Sequence, residues 1–201
     1  MTLSVFKSLP RRVLNWLHRF RKRCGYGIHS PYAFAFVTGV VYEKGNYYAY
    51  EQLARELSAS CWREKDIRLL FRVANFSEAR SALLVGACLP EVVAAFRAAR
   101  PQSKVVETDD ADLVAFKDEK FDFCYVSSTQ LSEQIACQLP SLATPCAVMV
   151  LQGIHLSRKT KAAWQVLQSN RRVRVTFDLY DFGIACFEPR LNKENFTINY
   201  F

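Results

Sequence analysis

No uninterrupted apolar run in this 201-residue chain approaches about 18 residues, so no transmembrane helix is expected. The first residues include Lys and Arg but lack the continuous apolar stretch of a secretory leader, and a cytoplasmic protein is expected. Gly and Pro are scarce at seven each, which excludes collagen-like and low-complexity chains. The seven cysteines, at 24, 61, 88, 124, 137, 146 and 186, include no CxxC pair. An odd, scattered set reads as buried thiols of a reducing compartment, neither a disulfide framework nor a zinc site. Acidic residues are missing altogether before Glu43.

What is present is half hydrophobic, 23% charged and 13% aromatic, enough for one ordinary core. The net charge of +8 is concentrated at one end. Lys7, Arg11, Arg12, Arg19, Arg21, Lys22 and Arg23 precede the first acid, and the remainder is close to neutral. Val13, Leu14, Trp16, Leu17 and Phe20 recur at helical spacing behind Pro10. The spacing predicts a basic amphipathic helix from about residue 10 to residue 23, within a segment 1–24 that precedes a single domain over 25–201. Such a helix suits an anionic membrane or nucleic-acid phosphates. Most amphipathic helices of soluble chains are docked, so its apolar stripe is expected on the domain and its arginines in water.

Ser30-Pro31 predicts an N-cap and first helical position, with Phe34, Val37 and Val41 along one face. Helical patterns follow at 47–57 and 64–74, the second with Ile67, Leu70, Phe71 and Ala74 on one side. From Ser81 the pattern alternates. Apolar runs at 82–85, 104–107, 121–126 and 147–151 read as strands, separated by helices at 90–99 and 132–139. A helix at 159–169 and strands at 172–179, 183–187 and 196–200 close the chain, with a tight turn at 180–182. This order predicts a doubly wound, mostly parallel α/β sheet with N-terminal helices and antiparallel C-terminal strands.

That order, and the phrases Gly25-Tyr26-Gly27-Ile28-His29-Ser30-Pro31-Tyr32-Ala33-Phe34, Tyr47-Tyr48-Ala49-Tyr50-Glu51, Ile154-His155-Leu156-Ser157, Ala163-Trp164, Asp178-Leu179-Tyr180 and Gly183-Ile184, resemble a group of bacterial proteins of the class I S-adenosylmethionine-dependent methyltransferase type. The resemblance runs from about Arg23 to the C-terminus. It implies a Rossmann-like methyltransferase fold with S-adenosylmethionine across the carboxyl ends of the first strands. The cofactor-binding residues it implies are Gly86 and Ala87 in the loop after the first strand and Glu107 at the end of the second, with Asp109 and Asp110 close behind.

The chain departs from the family pattern where the cofactor is held. The family has an acid two places before the first glycine and a second glycine four places after it; here these positions are Leu84 and Pro90. Leucine cannot bond a charged amino group, and proline lacks an N–H and restricts Leu89. The family group has Asp-Gly after the third strand and two aspartates before Ile-His. Here Ser127-Ser128 and Gln152-Gly153 stand there, poor ligands for a hard cation, so no metal is expected. Only thirteen residues, Thr108 to Lys120, link the second and third strands, too few for a further helix, strand and loops. A shortened sheet edge is expected. His155, His29 and Cys88 are the other side chains with chemistry, each with an ordinary structural role open to it. No catalytic residue is assigned. The expectation is a methyltransferase-like protein with weakened or lost cofactor binding and catalysis. The alternative is a non-catalytic scaffold that meets a partner, an anionic membrane or nucleic acid through its basic helix. The methyl acceptor and the oligomeric state are not legible.

Overall fold

The computed structural model describes residues 16–17, 19–22, 25–60, 62–86, 89–110 and 112–200. Three helices come first: α1 (Pro31–Phe36), α2 (Tyr48–Glu56) and α3 (Glu64–Phe76). Alternation then follows through β1 (Ser81–Val85), α4 (Pro90–Ala99), β2 (Lys104–Thr108), β3 (Phe121–Val126), α5 (Glu133–Leu142), β4 (Ala143–Gln152), α6 (Arg158–Ser169), β5 (Val175–Asp178), β6 (Phe182–Cys186) and β7 (Glu194–Thr197). The seven strands form one sheet in the order β2-β1-β3-β4-β6-β5-β7. β6 alone runs against its neighbours. The switch point lies between β1 and β3, since the chain leaves β1 first toward β2 and then returns to β3.

Both faces of the sheet are covered, so its strands are apolar throughout rather than alternating. Leu84, Tyr125 and Val150 point to a core shared with α1, α3 and α4. Leu83, Val126 and Met149 point to the opposite core, shared with α5 and α6. Ser30 caps α1 by accepting from the Ala33 N–H, with Pro31 at the first helical position. The chain then widens into a π-helical turn, Val37–Val41, that was not legible in sequence. It turns Phe36, Val37, Val40 and Val41 inward and leaves Phe34, expected on the buried face, 48% exposed. Buried Arg72 of α3 holds this turn, donating to the Val40 and Val41 carbonyls and to the Tyr50 hydroxyl.

The edge beyond β2 is short, as its thirteen-residue connection requires. Its described residues hold a single 3₁₀ turn, Val114–Phe116, and β2 pairs only with β1. Lys104 on this edge is paired with Glu119, a charge that discourages further strand addition. The opposite edge differs from expectation. β7 adds in parallel outside β5, so the antiparallel pair is internal. Of the described cysteines, Cys124 and Cys186 are buried as expected, but Cys137 and Cys146 are exposed. Burial pushes the Cys124 and Cys186 thiols up to about 12, which keeps them protonated and inert.

Most of the expected basic helix lies outside the described residues, and so do Cys24, Cys61 and Cys88. Trp16 and Leu17 are helical, but Arg19–Lys22 is turn, so the helix does not continue to residue 23. Among the described residues Arg21 and Lys22 are exposed as expected, but Arg19 and the apolar side chains are not placed as expected. Arg19 is buried, whereas Trp16, Leu17 and Phe20 are exposed. The physical reason is an acid inside the domain, Asp178, which takes Arg19 as its partner.

Gly183 of β6 lies under the Trp164 ring, and a Cβ there would meet ring carbons at 2.7–2.9 Å. Gly183→Ala is expected to destabilise the fold by about 1–3 kcal/mol through overpacking, read as a lower midpoint in urea denaturation with unchanged slope.

Candidate functional site

The carboxyl ends of β1 to β4 form one rim, and the turns leaving them are tied to one another. Gly86 donates to the Thr108 carbonyl (2.8 Å), Ser127 to the Val85 carbonyl (2.9 Å) and Gly153 to the Asp181 carbonyl (2.6 Å). The Gln130 side chain adds a bond to the Asp109 carbonyl at 2.9 Å. Open α/β sheets bind ligands along such a rim at the switch point, here between Gly86 and Ser127.

Gly86 ends β1 with φ +141, a conformation that favours glycine. The side on which a Cβ would stand is filled: it would lie 2.3 Å from the Ser127 Oγ and 2.7 Å from the Ser127 Cβ. The smallness of Gly86 is thus used in packing β1 against β3. Ala87 lies outside the described residues. Glu107 is exposed and stands opposite Leu84, one step inside the end of β2. Asp109 is the first residue beyond that strand. Leu84 has no exposed surface and belongs to the core under α3 and α4. Its register partner on β3 is Tyr125, whose buried hydroxyl has no hydrogen-bond partner. Burial, followed by the carboxylates of Glu91 and Asp66, raises that phenol well above its ordinary range.

The rim continues into a cleft of about 300 Å³, lined among others by Trp62, Arg63, Asp66, Gln152, Asp181 and Phe182. Arg63 is clamped between two acids, at 2.7 and 3.0 Å from the Asp66 carboxylate and 2.6 Å from Asp181. Burial pushes the Asp66 carboxyl up, against the lowering pull of Arg63. Burial alone would lower the Arg63 guanidinium, but its two acidic partners outweigh that and raise it. Sequence reasoning missed this trio, because Arg63 and Asp66 precede the sheet and meet Asp181 only through the fold. The available signal was local: Asp66 in the first turn of α3, three residues after an arginine.

The remaining strand-end side chains are neutral and bonded to their neighbours. Ser127 Oγ is 2.8 Å from Thr129 Oγ1, and Gln152 Oε1 accepts from the Ser128 N–H at 3.4 Å. Among the described residues, no three His, Cys, Asp or Glu side chains are grouped to hold a metal ion. These same residues decide how well S-adenosylmethionine fits. At the position where the resemblance places an acceptor for its amino group, Leu84 is sealed in the core; Ser127 lies against Gly86, and Glu107 and Asp109 are exposed at the end of β2.

His155, just beyond β4, is engaged on the far side of the rim. Its Nε2 lies 2.7 Å from Asp178 Oδ2, and its ring stacks on Tyr180 at 5.3 Å. Asp178 also accepts from Arg19 at 2.9 Å and from the Tyr180 N–H at 2.9 Å. Burial works to raise the Asp178 carboxyl, but the hydrogen bonds from His155 and Arg19 prevail and hold it at about 2. His29 is exposed in the loop before α1.

No protein-family model matches the sequence, and none of the curated proteins matches it. Solved structures do. A cofactor-bound protein from MTB, Rv0187, superposes with a TM-score of 0.51 at 16% identity, over 79% of this chain and 97% of its own. A methyltransferase from Geobacter sulfurreducens superposes with a TM-score of 0.50 at 12% identity, again over 79% and 97%. The chain has a Rossmann-like methyltransferase fold. At these identities the likeness concerns the fold alone.

Asp178 makes stability depend on pH in a defined direction. Its folded pKa lies below the roughly 3.9 of an unfolded aspartate. Its contribution is therefore complete above that value and is lost as the pH falls toward 2. Asp178→Asn is expected to cost about 2 kcal/mol near neutral pH, with the gap to the parent closing between about pH 4 and pH 2. Urea denaturation of both proteins across that range reads it; a gap independent of pH would exclude an ionised Asp178.

Proposed function

We propose that this chain is a methyltransferase-type protein whose grip on S-adenosylmethionine is weakened. The fold supports the class. The observation that carries the weakening is the packing of Ser127 into the space beside Gly86, next to a Leu84 sealed in the core. A missing charge-assisted acceptor at position 84 removes roughly 1.5–3 kcal/mol of binding. The shortened edge beyond β2 removes a wall on which an adenine would rest. A combined loss of about 3–4 kcal/mol turns micromolar affinity into roughly millimolar.

The cleft beside the rim is where an acceptor would sit. It offers the Trp62 and Phe182 rings, the Arg63–Asp66–Asp181 trio and the Gln152 amide. None of its acids is free to take a proton without breaking an ion pair with Arg63. The transfer such a site favours is one helped by positioning two reactants, with little acid–base assistance. His155 is not among the residues lining this cleft, and its Nε2 is engaged by Asp178.

Calorimetric titration with S-adenosylmethionine and S-adenosylhomocysteine tests the reading. Heats fitting a roughly millimolar dissociation constant are expected, reduced further by Glu107→Ala. Low-micromolar binding by the parent, abolished by Glu107→Ala, would make this a working cofactor site and overturn the proposal.

A further inference from the structure

The described part of the N-terminal segment presents an apolar surface to solvent in spite of being firmly held. Arg19 reaches Asp178 through its side chain and also donates to the Ile198 carbonyl at 3.3 Å. Asn199 donates its N–H to the Lys22 carbonyl at 2.9 Å and its amide to the Trp16 carbonyl at 3.4 Å. All of these anchors use backbone or arginine. The apolar side chains do not share in them: Trp16 is 37%, Leu17 56% and Phe20 50% exposed. Trp16 and Phe20 form an edge-to-face pair at 5.2 Å, a small fixed aromatic ridge. Arg21 and Lys22 beside it are exposed, and in sequence Lys7, Arg11, Arg12 and Arg23 flank it with no acid before Glu43.

We propose that this ridge is a peripheral docking site for an anionic lipid surface. Charge complementarity favours that occupant. A run of basic residues without acids gathers at an anionic leaflet, and Trp, Phe and Leu side chains enter the zone between headgroups and acyl chains. Nucleic acid would use the charges but not Leu17, and the two rings are already turned on each other rather than open for base stacking. The anchor at Asp178 explains how the surface is presented. Burying Arg19 in the domain turns the neighbouring apolar residues outward. The rim of the sheet is thereby held close to the membrane; among the described residues no helix is long and apolar enough to span a bilayer.

The test is flotation of the full chain with phosphatidylcholine vesicles and with vesicles also containing phosphatidylglycerol. Binding to the anionic vesicles only, weakened by added salt, is expected. The combined variant Trp16→Ser, Leu17→Ser, Phe20→Ser should lower the partition coefficient at least roughly tenfold. Arg21→Gln and Lys22→Gln should each lower it by about fivefold. All five side chains are partly or fully exposed, so thermal unfolding should be unchanged. If the triple variant does not fold, the two charge variants decide. No binding to anionic vesicles overturns the proposal, as does binding that the variants leave intact. Retention of a labelled RNA by a protein that ignores vesicles would assign the surface to nucleic acid instead.

Discussion

The carboxylate of Asp178 joins three parts of the chain that are far apart in sequence. It stands at the end of β5 and receives Arg19 from the N-terminal segment, His155 from the exit of β4 and the Tyr180 N–H from the turn into β6. A buried ion pair of this kind adds little net stability over an apolar pair, because both ions leave water. Removing one partner alone is costly, because the other is stranded. The cluster therefore acts mainly as a specification. It fixes where the N-terminal segment meets the domain and how the His155 ring is oriented. The His155 ring is held by the carboxylate at its Nε2 and by stacking on Tyr180.

The opposite part of the rim is specified differently, by neutral contacts. In a methyltransferase-type site the glycine after β1 lets a ligand approach the backbone, and an acid two residues earlier holds its amino group. Here both positions serve packing. Gly86 receives Ser127, and Leu84 fills the core beneath α3 and α4. The exchange leaves one visible inconsistency: the Tyr125 hydroxyl, on the strand position next to Leu84, is buried without a partner. An orphaned buried hydroxyl costs about 1–3 kcal/mol. Leu84→Asp would not simply restore a site, since a carboxylate in that fully buried position must itself be desolvated.

Most of the sheet was legible because a doubly covered strand advertises itself as a short apolar run between helical patterns. β3 begins and ends where its run does, at Phe121 and Val126. The short edge beyond β2, where the described residues hold a single 3₁₀ turn, was legible from chain length. Three things were hidden, each for a physical reason. The π-helical turn at Val37–Val41 depends on Arg72, contributed by a helix farther along the chain. β7 is parallel to β5 rather than an extension of the hairpin, a choice made by pairing and not by local pattern. The inward turn of Arg19 came from Asp178, which in sequence is one acid in a strand and gives no sign of being buried. Glu107 lies one residue inside the end of β2, close to where the apolar run placed the strand end. The crowding of Gly86 by Ser127 could not be read, because a glycine used for packing and one used for ligand approach look the same in sequence.

The two halves of the rim show where constraint now lies in the molecule. At the ends of β3 and β4 the side chains of Ser127 and Gln152 are neutral and bonded to neighbours. Between β4 and β5 the contacts are ionic: Arg63 couples α3 to the turn before β6, and Arg19 couples the N-terminal segment to β5. Charged groups whose partners come from distant segments are expensive to rearrange, since each leaves an unpaired ion behind. Among the described residues, the buried ion pairs gather around the Arg63 cleft and the N-terminal anchor, while the glycine after β1 is constrained by the Ser127 side chain packed against it.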